Sequence, residues 1–144
     1  MKKFENSIDI DKPIGEVFDV VADFERFPDW RTGLLDAKVT SAGPVGKGTT
    51  YLYDMKTMGK VIETSGLVED YQPPDGYSWK STSGPFPISG KIILEPVNGG
   101  TRLTERLEVD PGGFFKLAEP LMVKQQQRQM EKDLIQLKEL LERQ

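Results

Sequence analysis

The run TRLTERLEV (101–109) carries the residue best placed for chemistry. Strand alternation puts Thr101, Leu103, Glu105, Leu107 and Val109 on one face and Arg102, Thr104, Arg106 and Glu108 on the other. The apolar set must face a core, so Glu105 enters that core as a carboxyl group. Two outcomes follow from the residue types. Desolvation among apolar neighbours favours a neutral acid, suited to general-acid work. Alternatively the group reaches an arginine or the mouth of a cavity and stays an ordinary anion. Glu63 is a weaker second candidate, because Gly66 blurs which face its strand presents.

Around such a carboxyl the sequence offers rings with polar tips. Tyr51 and Tyr53 share one strand face, and Tyr77, Trp79 and Ser81 share another. Such rings suit a pocket that orients a ligand through a few hydrogen bonds, and equally suit plain sheet packing. In DFERFPDW (23–30), Phe24, Phe27 and Trp30 recur every three residues and, with Leu34, form an apolar plug or simply core. Trp30 is the member of that group expected to touch a ligand. Pro28 is expected to break the chain between a first helix and a second short turn. Gln127 falls inside an otherwise apolar helical seam, where an unpaired amide costs ~1–3 kcal/mol, so it is expected to face water or a ligand. Ser65, Ile88, Ile92, Leu103, Phe114, Leu117 and Leu121 complete the expected lining.

Composition removes many chemistries. The chain has 144 residues, no cysteine and no histidine. That excludes a disulfide framework, a thiol nucleophile and a serine–histidine triad. No metal site and no cofactor are expected. The formal charge of -4 argues against nucleic acid, which needs a basic face. GPVGKGTT (43–50) fails as a phosphate loop, since Ser41 and Gly48 stand where the pattern needs glycine and Ser/Thr. The start, MKKFENSIDI, lacks an apolar run of signal-peptide length, and no stretch approaches the ~20 apolar residues of a membrane span. A cytoplasmic protein without stable membrane insertion is expected.

The elements that must position these residues are legible. Phe4, Ile8 and Ile10 alternate with charged or polar neighbours as a half-buried strand, with Asn6 as the odd inward member. Asp11 is expected to cap a helix carrying Pro13 in its first turn and Ile14, Val17, Phe18 and Val21 on its apolar side. Between residues 36 and 109, turn signals at GPVGKG, TMGK, PPDG, SGPFP and NGG separate strand-like runs, and links this short join only antiparallel neighbours. Residues 114–144 read as helix, with Val123, Met130, Leu134, Leu137 and Leu141 on one seam and Pro120 kinking or restarting the first turn. Lys138 and Glu142 fall off the seam and are expected to be exposed and nearly neutral to substitution.

The order of elements resembles the helix-grip superfamily. The likeness rests on IDIDKPIGEVFDVVADFERFPDW, the GKGTTY hairpin, VEDYQPPDGYSW, NGGTRLTERLEV and the final PL…LIQLKELLE helix, and covers essentially the whole chain. That superfamily includes birch-pollen-allergen-like proteins, START lipid-transfer domains and the bacterial polyketide cyclase/dehydrase and coenzyme Q-binding proteins. The resemblance implies one α+β domain over 1–144, a curved antiparallel sheet of about seven strands wrapped around the C-terminal helix, with two short helices after the first strand. It also implies a hydrophobic small-molecule ligand between sheet and helix. Three functions follow: a carrier for a lipid-, polyketide- or quinone-like molecule; a cyclase or dehydratase using a cavity carboxylate and tyrosines; or a protein-interaction module with a vestigial cavity. An enzyme needs several polar groups converging on one point, and Glu105, the tyrosines and Gln127 are few, so the sequence favours binding.

Overall fold

The computed structural model describes residues 2–57, 59–84, 87–110 and 119–143. The first strand, β1 (Lys2–Ile10), leads into α1 (Ile14–Val21) and a 3-10 helix (Phe24–Asp29). Six strands follow: β2 (Leu34–Val39), β3 (Thr50–Thr57), β4 (Lys60–Gln72), β5 (Gly76–Ser81), β6 (Ile88–Val97) and β7 (Gly100–Val109). The chain ends in α2 (Glu119–Glu142). All seven strands join one antiparallel sheet in the order β1-β7-β6-β5-β4-β3-β2, so β2 to β7 form a meander and β1 closes beside its last strand. This is the helix-grip architecture expected.

Local chemistry differs from expectation at the first corner. Asp11 does not cap α1. Pro13 holds the N-cap position without a side-chain bond, and the Asp11 amide donates to the Glu142 carboxylate at 2.9 Å. Lys138 Nζ donates to the Asp9 carbonyl at 2.6 Å and to Glu142 at 2.8 Å. Glu142 and Lys138 therefore tie the end of α2 to the β1–α1 corner, and the expectation that both are idle surface residues is corrected. Pro28 does not divide two helices either, because the break falls at Ala22–Asp23. Pro28 sits inside the 3-10 helix, where the bonds to Asp23 and Phe27 carbonyls come from the N–H groups of Arg26, Trp30 and Arg31. Its missing donor is not needed there.

The helical seam is confirmed. Met130, Leu134, Leu137 and Leu141 are buried, and Pro120 stands at the second position of α2, where proline is tolerated. The helix runs nearest to β1, and Met130 packs with Phe4, Leu107 and Val109. Leu134, Leu137 and Leu141 join the larger core with Ile10, Phe18, Phe24, Trp30 and Leu103.

Candidate functional site

Register fixes which side chains look inward. Glu105 of β7 pairs with Asn6 of β1 and Ile92 of β6, and Ile92 pairs with Tyr77 of β5. Farther across, Trp79 pairs with Val68, Ser81 with Gly66, Tyr51 with Gly66 and Tyr53 with Thr64. Because directly paired residues share a face, one concave surface carries Asn6, Glu105, Ile92, Leu103, Tyr77, Trp79, Ser81, Tyr51 and Tyr53. Two glycines let the rings lie on it. A Cβ at Gly66 would strike the Tyr51 ring, and one at Gly90 the Trp79 ring. The rings thus lie flat over the neighbouring strand. Tyr51 and Tyr53 stack with centroids 6.0 Å apart, and Phe24 packs on both Tyr51 and Tyr77.

At the centre of this surface lies an ion pair. Arg31, in the turn between the 3-10 helix and β2, donates from Nη2 to Glu105 Oε2 at 2.8 Å. The side chains are 12% and 1% exposed. The guanidinium also lies 4.2 Å from the Trp30 ring centroid and 4.9 Å from that of Phe27, cation over ring face. The plug aromatics are therefore core, with Phe24, Phe27, Trp30 and Leu34 all buried, and they also form the wall that holds Arg31. Of the two outcomes open to Glu105, the structure shows the arginine pair. Burial disfavours the Arg31 charge, but Glu105, Tyr77 and Asp133 outweigh it and hold the guanidinium above its ordinary value.

A second carboxylate stands close by. Asp133 of α2 is 4% exposed and accepts the Thr32 backbone N–H at 2.8 Å, while Gln129 Nε2 donates to the Thr32 carbonyl at 2.8 Å. These two bonds clamp the turn carrying Arg31 onto the helix. Burial pushes the Asp133 carboxyl above the usual range, against the opposing pull of its Thr32 bonds and Arg31. Burial likewise raises the phenols of Tyr51, Tyr53 and Tyr77, so near neutral pH all three remain protonated. Tyr77 spends its hydroxyl on the Val21 carbonyl at 2.6 Å, fastening α1 to the sheet.

The remaining expected residues divide. Ile92 and Leu103 are fully buried, and Trp79, Tyr53, Ile88 and Ser81 are partly buried on the same face. Ser81 Oγ accepts the Ile88 N–H at 3.0 Å. Gln127 does face the sheet, but it is not unpaired: its Nε2 donates to Asn6 Oδ1 at 2.9 Å and to Glu131. The Gln127 amide N–H is thus taken by the Asn6 carbonyl, which corrects the expectation that Gln127 turns to water or ligand. Ser65 is misplaced. Gly66 is the inward residue of that stretch, and the Ser65 hydroxyl bonds Thr82 and Ser83 on the outer face. Glu63 is on that outer face too, opposite Asp54 and exposed. Leu121 is 65% exposed and lines no interior surface here. Phe114 and Leu117 lie outside the described residues.

Arg31, Asp133 and Thr32 were not anticipated. The one signal for Arg31 is its place directly after Trp30, at the end of the aromatic run. Among the described residues no group of three acidic side chains could hold a metal ion, and no helix is long and apolar enough to cross a membrane.

The fold and this interior define a helix-grip protein with a polar centre in an aromatic surface. The chain belongs to the family of polyketide cyclase / dehydrase and lipid transport proteins, whose pattern matches residues 1–142. That membership places it among proteins of hydrophobic small molecules. Similar solved structures include a protein from Thermus thermophilus, TTHA0849, 21% identical, covering 97% of each chain with a TM-score of 0.83. The Zhui aromatase/cyclase from a Streptomyces species is 14% identical, covering 99% of this chain and 94% of its own, with a TM-score of 0.79. A START superfamily protein from Mycobacterium smegmatis is 17% identical over 92% of this chain and 98% of its own, with a TM-score of 0.66. These likenesses establish the fold. No curated protein matches the sequence.

Proposed function

We propose that the chain binds and carries a hydrophobic small molecule, lipid-, polyketide- or quinone-like, between the concave sheet and α2. The observation that supports this most is the inward face itself. Aromatic rings with protonated phenols surround the buried Arg31–Glu105 pair, giving apolar area around a polar centre, as ligand sites require. Tyr51 and Tyr77 belong to the core, whereas Tyr53 and Trp79 are only partly buried on the same face and leave ring area for a ligand to cover.

The cyclase or dehydratase reading is less well supported. Glu105 is committed to Arg31, which is always protonated and transfers no proton near neutral pH. Asp133 is committed to the Thr32 amide. Asp133 cannot act as acid or base without loosening the Thr32 turn, and Glu105, bonded through Oε2 to a permanent cation, offers only Oε1 as an acceptor, with no second acid–base group beside it in a described bond. The test is native mass spectrometry of the freshly purified chain, followed by titration with Nile red, an uncharged apolar dye. A co-purified small molecule that leaves chemically unchanged, or saturable uptake of one dye per chain, is expected. A bare chain mass with no saturable uptake would refute the carrier reading. Conversion of the bound molecule on incubation would favour the enzyme.

A further inference from the structure

Besides the Thr32 hydroxyl, in the turn that Asp133 holds, three buried polar atoms around the Arg31–Glu105 pair have no hydrogen-bond partner among the described residues: Trp30 Nε1, Glu105 Oε1 and Asn6 Nδ2. They belong to one cluster. Arg31 links the first two residues, since it bonds the other Glu105 oxygen at 2.8 Å and lies 4.2 Å from the Trp30 ring. Asn6 stands directly opposite Glu105 in the β1–β7 register, and its Oδ1 is already taken by Gln127. Trp30 is 0% and Glu105 1% exposed, so bulk water does not serve them.

Such atoms are costly to leave unpaired in an interior, and their types specify what would pair them. Two N–H donors and one carboxylate acceptor are the complement of a hydroxyl group, which has one O–H donor and two lone pairs. We propose that the interior site selects an uncharged ligand ending in a hydroxyl, whose O–H donates to Glu105 Oε1 and whose oxygen accepts from Trp30 Nε1 and Asn6 Nδ2. This rests on the small-molecule-binding reading and adds the ligand class: phenol- or alcohol-ended molecules, not carboxylate- or phosphate-ended lipids. Charge points the same way. Arg31 already faces two buried carboxylates, Glu105 and Asp133, so an anionic end would bring a third negative group to one guanidinium. A hydrocarbon end would leave all three atoms unpaired. Packing covers these atoms, so side chains around the pair must shift for a ligand to reach them.

The test uses the full chain and three probes on one two-ring skeleton: 2-naphthol, 2-methylnaphthalene and 2-naphthoate. Calorimetric titration should show 2-naphthol binding roughly tenfold or more tighter than 2-methylnaphthalene, one net hydrogen bond or more at about 1.4 kcal/mol per decade, and 2-naphthoate weakest. Trp30→Phe keeps a ring beneath Arg31 and should narrow the naphthol advantage. In wild type, nitrogen–proton correlation spectra contain two indole N–H signals, from Trp30 and Trp79, assigned with Trp79→Phe. The Trp30 signal should move downfield with 2-naphthol and not with 2-methylnaphthalene, which keeps the test valid should Trp30→Phe fold poorly. Equal binding of naphthol and methylnaphthalene overturns the hydroxyl proposal while leaving the carrier reading intact. Tightest binding of naphthoate overturns it as well. Binding of none of the three removes both.

Discussion

Replacing Arg31 with methionine tests the centre of the interior. The change removes the hydrogen bond to Glu105 Oε2 while Oε1 is already unpartnered, so a carboxylate 1% exposed loses its described hydrogen-bond donor. Breaking a buried pair by removing one member costs roughly 3–5 kcal/mol. Because Arg31 is itself 12% exposed, the lower part of that range applies, about 3 kcal/mol. The lost cation over Trp30 and Phe27 contributes part of it. At roughly 2–4 °C per kcal/mol for a chain of this size, the melting temperature should fall by about 10 °C. Glu105→Leu should cost a similar amount by stranding Arg31. The double variant, Arg31→Met with Glu105→Leu, should be far less damaging than the sum, because an apolar pair of similar volume replaces both charges. Urea unfolding of all four proteins, followed by circular dichroism, measures this cycle. Single variants that each cost under about 1 kcal/mol, or a double variant equal to their sum, would refute the view that these residues act as one buried unit.

Asp133→Asn keeps an oxygen for the Thr32 N–H and removes the buried charge. The folded-state carboxyl is held above its unfolded value, so its favourable contribution is full below about pH 3.8 and is lost as pH rises through the folded value. The variant should therefore be more stable than wild type at pH 7, with the gain vanishing toward pH 3.8, as paired melting curves would show. Leu134→Ala and Leu137→Ala, at 2% and 0% exposure, should each cost ~2–5 kcal/mol in urea unfolding. Lys138→Ala should cost about 1 kcal/mol through its lost bonds to Asp9 and Glu142, and no loss would return it to an idle surface role. Gly66→Ala should cost ~1–3 kcal/mol and shift the Tyr51 ring resonances, since a methyl there collides with that ring.

Alternation and helical spacing made the frame readable. The 101–109 strand announced Glu105, and β1 announced Asn6 as its inward polar residue, since each interrupts an apolar face that period 2 defines. The α2 seam was equally plain. What periodicity could not give was the partner of each polar group. Arg31 lies in a turn, where no repeat states a direction, and its pairing spans 74 residues of sequence. Asp133 sits beside Leu134 in an ordinary charged helix, and only the approach of the Thr32 turn makes it interior. Ser65 was misread because its neighbour Gly66 carries no side chain, while Val61 and Leu67 on one face and Ile62 and Val68 on the other leave the two faces of β4 equally apolar. The amide pair of Asn6 and Gln127 shows the same limit: alternation turned Asn6 inward and the seam turned Gln127 to the sheet, but the bond that takes Gln127 away from water or ligand is invisible to either pattern.

The central claim, that the concave interior is the ligand site, is tested most directly by intermolecular nuclear Overhauser contacts to bound 2-naphthol. Contacts to the rings of Tyr51, Tyr53 and Trp79 and to the methyls of Ile92 and Leu103 are predicted, all from the inward face. Contacts confined to Ile135 and the side chains of Arg128, Lys132 and Gln136, which line a shallow open groove along the outer side of α2, would contradict it.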